Sequence, residues 1–426
     1  MTQPPIIKPA SVEVAEAKKL TLSNGVDLYT LSSDDFEVLR VTFVFRAGSA
    51  VQDHFFTASS VTNLMAEGTK QMTAHEIAEQ LDYYGSWFDV NTDRDNSYIS
   101  FCTLTKFFRP TLDVAEQILL HPTFPEEEVT GYAAKRKQRL AIERTKVESK
   151  AREAFVKAMF GEAHPYGVSA EEQEYDTLTR QHLVDFYTKR YTAENCFVVC
   201  SGKVGEEELQ RIISIAEQLP QRGKTEERPF PAIETQREVF IHHEGAVQSA
   251  IRIGRVLFPR EHPDFVGMQV VGTALGGYFG SRLMKNLREE HGYTYGVMSA
   301  MLNFEKEGYF AIGTQVGSDV TAEALQEIRN EVERLRHEEM SVEELDLVKN
   351  MMIGEVMRIL DGPFGIADVT IENILCGTDN HAIDRNIRAV RDITPAQVRR
   401  LAEQYLAPED LVTVVVGDQT AILGKE

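Results

Sequence analysis

Eleven histidines and four cysteines are the side chains with which this chain of 426 residues could most directly bind a metal or supply a nucleophile. None of the histidines is spaced as HxxxH, HExxH or HxxEH, so no helix face presents two imidazoles one turn apart. His242 and His243 are neighbours in a strand-like stretch and point to opposite faces, which rules out a shared ion. There is no GxSxG elbow, Walker loop or GxGxxG. Gly276-Gly277-Tyr278-Phe279-Gly280 opens a helix and offers backbone amides to an anion, but without a phosphate motif it reads as a structural turn. Cys196 and Cys200 share one face of the apolar strand CFVVC. With Cys102 and Cys376 they read as reduced structural thiols. Lys135, Arg136, Lys137, Arg139, Arg144, Lys146 and Lys150 are interleaved with Glu143 and Glu148, the pattern of a solvated helix face.

Charge and composition narrow the classes further. Lys and Arg number 45 against 66 Asp and Glu, a net charge of −21, spread as −10 before residue 220 and −11 after it. Nucleic-acid and anionic-membrane binding both need clustered cations, so neither is expected. No apolar run approaches the roughly 18 residues that span a bilayer, and residues 1–10 lack a secretory pattern. A cytoplasmic location is expected.

The elements that must position any site follow from periodicity. Leu20–Leu31 reads as a hairpin about Asn24-Gly25. Strands are expected at 38–46, 86–93, 97–104 and 196–201, and helices at 58–66, 74–84, 109–120, 179–190 and 206–219. One long helical stretch covers 125–160. Residues 221–235 form a polar linker that follows Pro220 and contains Pro229 and Pro231. Beyond it strands are expected at 237–243, 249–256, 293–303, 307–316 and 411–416. Helices are expected at 263–275, 281–290, 321–338, 342–359 and 394–405, and no element is read between Ile359 and Thr394. At an offset of 215 the ends of the halves superpose: Thr179 on Thr394, Phe186 on Leu401, Gly202 on Gly417. The expected fold is therefore α+β with two similar halves (1–220 and 236–426 about the 221–235 linker). Each is expected to be a mostly antiparallel sheet with helices on one face.

Several short motifs in order carry a resemblance. Arg46-Ala47-Gly48-Ser49, Gly68-Thr69, Glu76-Ile77 and Gly85 are followed by His164-Pro165-Tyr166-Gly167. The second half adds Leu275-Gly276-Gly277, Ser281-Arg282-Leu283, Leu287-Arg288-Glu289-Glu290 and Gly292-Tyr293-Thr294-Tyr295. The chain resembles the insulinase/pitrilysin/mitochondrial processing peptidase family of zinc peptidases over essentially its whole length.

Peptide-cleaving members of that family carry HxxEH five positions before the Gly-Thr. Two imidazoles hold zinc there, and the Glu takes a proton from the metal-bound water. The window here is Ser59-Ser60-Val61-Thr62-Asn63: Ser59 and Asn63 replace the ligands, and Thr62 replaces the base. The family's third ligand, a glutamate in the long helix, aligns with Ala141 or Ile142, one position from Glu143. Neutral hydroxyl and amide oxygens are poor zinc donors, and Thr is no base at neutral pH. No metal is expected in this chain.

The family's substrate-binding Arg and Tyr, seven residues apart, match Arg288 and Tyr295. Spacing alone would equally let Arg288 serve a helix dipole and Tyr295 sit half-buried in a strand. The resemblance implies a chain inactive alone. It would pair with an HxxEH-bearing subunit that carries the zinc, or self-associate as a homodimer, and present Arg288 and Tyr295 to a bound peptide. The alternative is a structural or assembly protein without a proteolytic role. Peptides bind such folds as an added strand, and the matching edge here is near 86–93.

Overall fold

The computed structural model describes Val12, residues 14–223 and residues 229–419. Gly25 takes φ +87°, so β1 (Lys18–Thr21) turns back antiparallel on β2 (Asp27–Ser32) as the Asn-Gly signal requires. With β3 (Val38–Phe45), β4 (Trp87–Thr92), β5 (Ser97–Leu104) and β6 (Cys196–Gly202) they form one sheet in the order β1-β2-β6-β3-β5-β4. In the second sheet β7 (Glu238–His242), β8 (Gln248–Leu257), β9 (Val297–Asn303), β10 (Gly308–Gly317) and β11 (Val412–Gly417) lie in the order β7-β11-β8-β10-β9. The plan is the same in both. The last strand of each half inserts centrally, parallel to β2 or β7 and antiparallel to β3 or β8. β4 and β9 are left as matching outer edges.

The first half supplies α1 (Thr57–Leu64), α2 (Ala74–Tyr83), α3 (Phe108–Leu120), α4 (Glu126–Glu143), α5 (Val147–Phe160), α6 (Arg180–Arg190) and α7 (Glu206–Ala216). The stretch read as one helix over 125–160 is two. Lys146 is extended, and the Arg144 guanidinium is turned toward Glu153, Glu171 and Glu172, which breaks the helix before α5. The second half supplies α8 (Phe265–Gly276), α9 (Thr321–His337), α10 (Val342–Ile359), α11 (Pro363–Leu375), α12 (His381–Asp392) and α13 (Pro395–Tyr405). The superposed ends hold in detail, since α6 and α13 both start on a capping Thr, Thr179 and Thr394. Among the described residues no helix is long and apolar enough to cross a membrane.

Two helices, α11 and α12, lie where no element was expected. The amphipathic pattern of α12 (Ala382, Ile383, Ile387 and Val390 buried) was legible by spacing. For α11 the repeat itself was the signal, because shifting α5 by 215 lands on 362–375.

These two partners in the repeat, α5 and α11, change places. Each half packs its own helices on one face of its sheet, as expected. The opposite face is covered by a helix of the other half. α5 lays Ala151, Phe155 and Ala158 against Ala250, Val412, Val414 and Val416 of β8 and β11. Gly254 has no Cβ there because one would lie 2.9 Å from the Phe155 ring and closer still to the Phe310 carbonyl. α11 lays Ala367 and Ile371 against Leu31, Val44 and Val199. Both central strands are consequently buried on both faces, which is why CFVVC and VTVVVG are nearly unbroken apolar runs. Burial pushes the Cys200 thiol up to about 11.

A second seam joins the hairpin turns beside the two edges. Asp95, in the β4–β5 turn, accepts the Tyr166 hydroxyl at 2.6 Å and the Glu305 amide of the β9–β10 turn at 2.8 Å. Tyr166 is fully buried in a ring cluster with Phe160, His164, Phe230 and Phe304. The end of the linker is stitched to α5, where Thr235 Oγ1 donates to Met159 O at 3.1 Å.

Truncating Phe155 to Ala should cost about 3–5 kcal/mol. Spectroscopic probes placed in the two halves should shift together in urea, because the helix belongs to one half and its pocket to the other. The buried His164 ring accepts the Tyr166 amide on Nδ1 at 3.1 Å, and burial holds its pKa below the usual imidazole value. The unfolded chain gains a proton here below about pH 6.5 that the folded chain refuses. This group therefore adds nothing unfavourable above that pH and costs stability as pH falls through it. His164→Asn, which keeps an acceptor but cannot titrate, should lose less stability between pH 7.5 and 5.5 than the parent, read from urea midpoints.

Candidate functional site

α1 carries Ser59–Asn63, the window that the resemblance aligns with the family's zinc-binding helix. It is anchored by its apolar face, with Ala58, Val61 and Leu64 buried in the first-half core, and begins after Phe56 at φ +64°. Three of its polar side chains, those of Ser59, Thr62 and Asn63, are engaged close by. Ser59 donates to Phe56 O at 3.2 Å, and Asn63 donates to Ser59 O at 2.7 Å. Thr62 is fully buried and shares a 2.8 Å hydrogen bond with Thr92, whose hydroxyl lies 3.3 Å from Ser97. The side chain that the resemblance aligns with the family's general base pins α1 to the end of the edge strand β4.

Tyr132 of α4 lies beside α1, with the Arg136 guanidinium 5.8 Å from the centroid of its ring. The Tyr132 hydroxyl is pushed up mainly by burial, with the Arg136 charge opposing and Ser59 and Ser60 adjacent. Ile142 is 56% exposed near the C-terminus of α4, and Glu143 binds Arg139 at 3.0 Å. The resemblance pointed to Ile142 and its neighbours; Tyr132, which it did not mark, is the α4 side chain beside Ser59 and Ser60, with Arg136 next to it. Their i, i+4 spacing around buried Val129 and Ala133 was the available signal. Among the described residues no group of three His, Cys, Asp or Glu could hold a metal ion. Zinc does not fit the donors at this helix, which are two hydroxyls and an amide already committed to backbone.

The second-half motif is built differently. At the end of α8 a Cβ on Gly276 would lie 2.8 Å from Ser299 N, and one on Gly277 would lie 2.5 Å from Thr273 Cα. The glycines serve close packing, not an anion. Residues 284–290 then form a π-helix, with His291 N–H bonding Asn286 O at 3.1 Å. Buried Asn286 holds that turn in place by donating to Glu327 at 2.9 Å and Glu331 at 3.1 Å. Arg288 emerges exposed from its last turn, with its guanidinium 4.7 Å from the centroid of the Phe279 ring, which is itself 61% exposed.

Tyr295 lies in a loop and not in a strand, since β9 begins only at Val297. That loop is held at both sides of it. Tyr293 N–H donates to Leu287 O at 2.8 Å, and Thr294 Oγ1 donates to Gln315 O at 2.7 Å. Tyr295 itself is 91% exposed. Packing accounts for neither Tyr295 nor Phe279, and a fixed backbone carrying a free phenol and a guanidinium suits hydrogen bonding to an extended ligand.

Residues 40–169 match the family described as Insulinase (Peptidase family M16), and residues 177–352 match the Peptidase M16 inactive domain. A relative from Bacillus subtilis described as an uncharacterized zinc protease, YmxG, is 21% identical over 94% of this chain and 98% of its own. One from Rickettsia bellii with a similar description is 24% identical over 78% and 81%. Among solved structures, the peptidase M16 inactive domain from Pseudomonas fluorescens superposes with a TM-score of 0.86 at 19% identity, covering 95% of this chain and 98% of that one. A protease from Helicobacter pylori superposes at 0.84 and 18% identity, covering 95% and 100%. With both family domains matched in order over most of its length, this chain belongs to the insulinase (M16) peptidase family, in a form whose HxxEH window reads Ser59-Ser60-Val61-Thr62-Asn63.

Proposed function

We propose that this chain is the non-catalytic subunit of a heteromeric zinc metallopeptidase. It pairs with an HxxEH-bearing subunit and presents Arg288 and Tyr295 to the peptide held there. The observation that carries the reading is a contrast within one chain. The residues aligned with the family's zinc window make helix-internal and helix-to-strand hydrogen bonds, while Arg288 and Tyr295 are exposed on pinned backbone. A guanidinium fork and a phenol donor can hold the carbonyls of an extended peptide. They are worth most where the partner's surface excludes water. Zinc and the water it activates belong to the partner in this scheme. This chain's own residues bind and orient.

Mixing the purified chain with its HxxEH partner and a peptide panel should raise cleavage well above that of the partner alone. Arg288→Ala should lower kcat/KM by roughly tenfold to a hundredfold, the worth of one charge-assisted hydrogen bond, and Tyr295→Phe by less. Both variants should still form the complex on size exclusion. Unchanged cleavage in both would overturn the reading in favour of a structural or assembly role. The isolated chain should take up no stoichiometric zinc in a metal titration at neutral pH, and cleavage that follows zinc loading of the isolated chain would contradict the assignment.

A further inference from the structure

The segment that carries Arg288 changes its helical register as it runs, and one buried polar residue sits where it changes. Ahead of that point the backbone bonds as an α-helix, with Lys285 N–H donating to Ser281 O at 3.0 Å. His291 N–H then donates back five residues, to Asn286 O at 3.1 Å, and Tyr293 N–H six residues, to Leu287 O at 2.8 Å. A turn closed over five residues holds one residue more than an α-turn. Side chains along it are progressively rotated, by up to about 100°, from where a continued α-helix would put them. Arg288 is among them, and the six-residue bond starts the loop that presents Tyr295.

Asn286 contributes to both parts of this arrangement. Its carbonyl accepts the five-residue bond, and its side-chain amide reaches α9, donating to Glu327 at 2.9 Å and to Glu331 at 3.1 Å. The two carboxylates lie one turn apart, and Glu331, 3% exposed, is also bound by Arg334 at 2.8 Å. The other inward side chains here, Leu283, Met284 and Leu287, are apolar, and apolar contact has no direction. An amide aimed at two fixed carboxylates does have one, so it admits a single register. The cluster is not the least costly way to fill the space. Asn286 Oδ1 and Glu331 Oε2 are both buried with no hydrogen-bond partner among the described residues, a cost that an apolar pair would avoid. Position, not stability, is what the amide supplies in return.

We propose that Asn286 is a positioning residue for the peptide-binding pair. It locks the register that sets Arg288 beside the Phe279 ring and starts the Tyr295 loop at Leu287. The inference rests on the reading that Arg288 and Tyr295 hold the peptide, and it adds the side chain that keeps guanidinium and phenol in fixed relation.

Two measurements on the full chain separate it from that reading. In the chain alone, hydrogen exchange is followed at the amides of His291 and Tyr293. Asn286→Leu, which keeps the bulk and removes the amide, should speed both about tenfold or more and leave β10 unchanged. In the complex with the HxxEH subunit, the same variant should lower kcat/KM for peptide cleavage about tenfold. It should add nothing in a chain already carrying Arg288→Ala and Tyr295→Phe, because its effect passes through them. If Asn286→Leu does not fold, Glu327→Ala removes one acceptor from a less buried position and should act in the same direction, about threefold in each measurement. Unchanged exchange overturns the proposal whatever cleavage does. So does full cleavage by Asn286→Leu, or a loss that multiplies with that of the Arg288/Tyr295 double variant. Faster exchange with a silent double variant overturns the reading of the site, and the positioning role with it.

Discussion

Everything in this molecule rests on the exchange of α5 and α11. A sheet with helices on one face leaves its other face apolar if the central strands are apolar, and each half has such a strand, β6 or β11. Neither half can cover that face with its own helices. Each borrows a helix from the other, Phe155 and Ala158 on one sheet and Ala367 and Ile371 on the other. Burial of these side chains ties the folding of the halves together. The Asp95–Tyr166–Glu305 contact then fixes the two edge hairpins relative to each other.

The same exchange shapes the surfaces. Because α11 stops short of β4, the edge of the first sheet keeps an acidic cleft roofed by the second half. On the second sheet the matching edge, β9, follows the loop that carries Tyr295. Duplication has thus produced two edges with the same place in the fold and different chemistry, one acidic and aromatic, the other marked by Arg288, Phe279 and Tyr295.

At the window that aligns with the family's zinc helix, the side chains present are engaged in hydrogen bonds within the chain. An isolated hydroxyl left in a buried position costs free energy. Thr62 avoids this by bonding Thr92 and the Ser59 carbonyl, and Asn63 by bonding back one turn. Short polar side chains at Ser59, Thr62 and Asn63 thus bond within the helix or to the edge strand.

Much of this was legible in the sequence, for reasons that are local. Asn24-Gly25, the capping Thr179 and Thr394 and the alternation along the strands each encode structure within a few residues, and those elements formed where periodicity puts them. The repeat and the missing histidines were also readable, since identity and order need no coordinates. Contacts between distant segments were not. That the continuous helical pattern over 125–160 breaks at Arg144 depends on Glu171 and Glu172, far along the chain. That Tyr295 is exposed in a loop depends on Thr294 reaching Gln315. The family and its lost ligands were thus set by residue types in order, while the exchanged helices, the pinned loop and the cleft beside Trp87 were decided only by tertiary packing, because each exists where the two halves or distant strands meet.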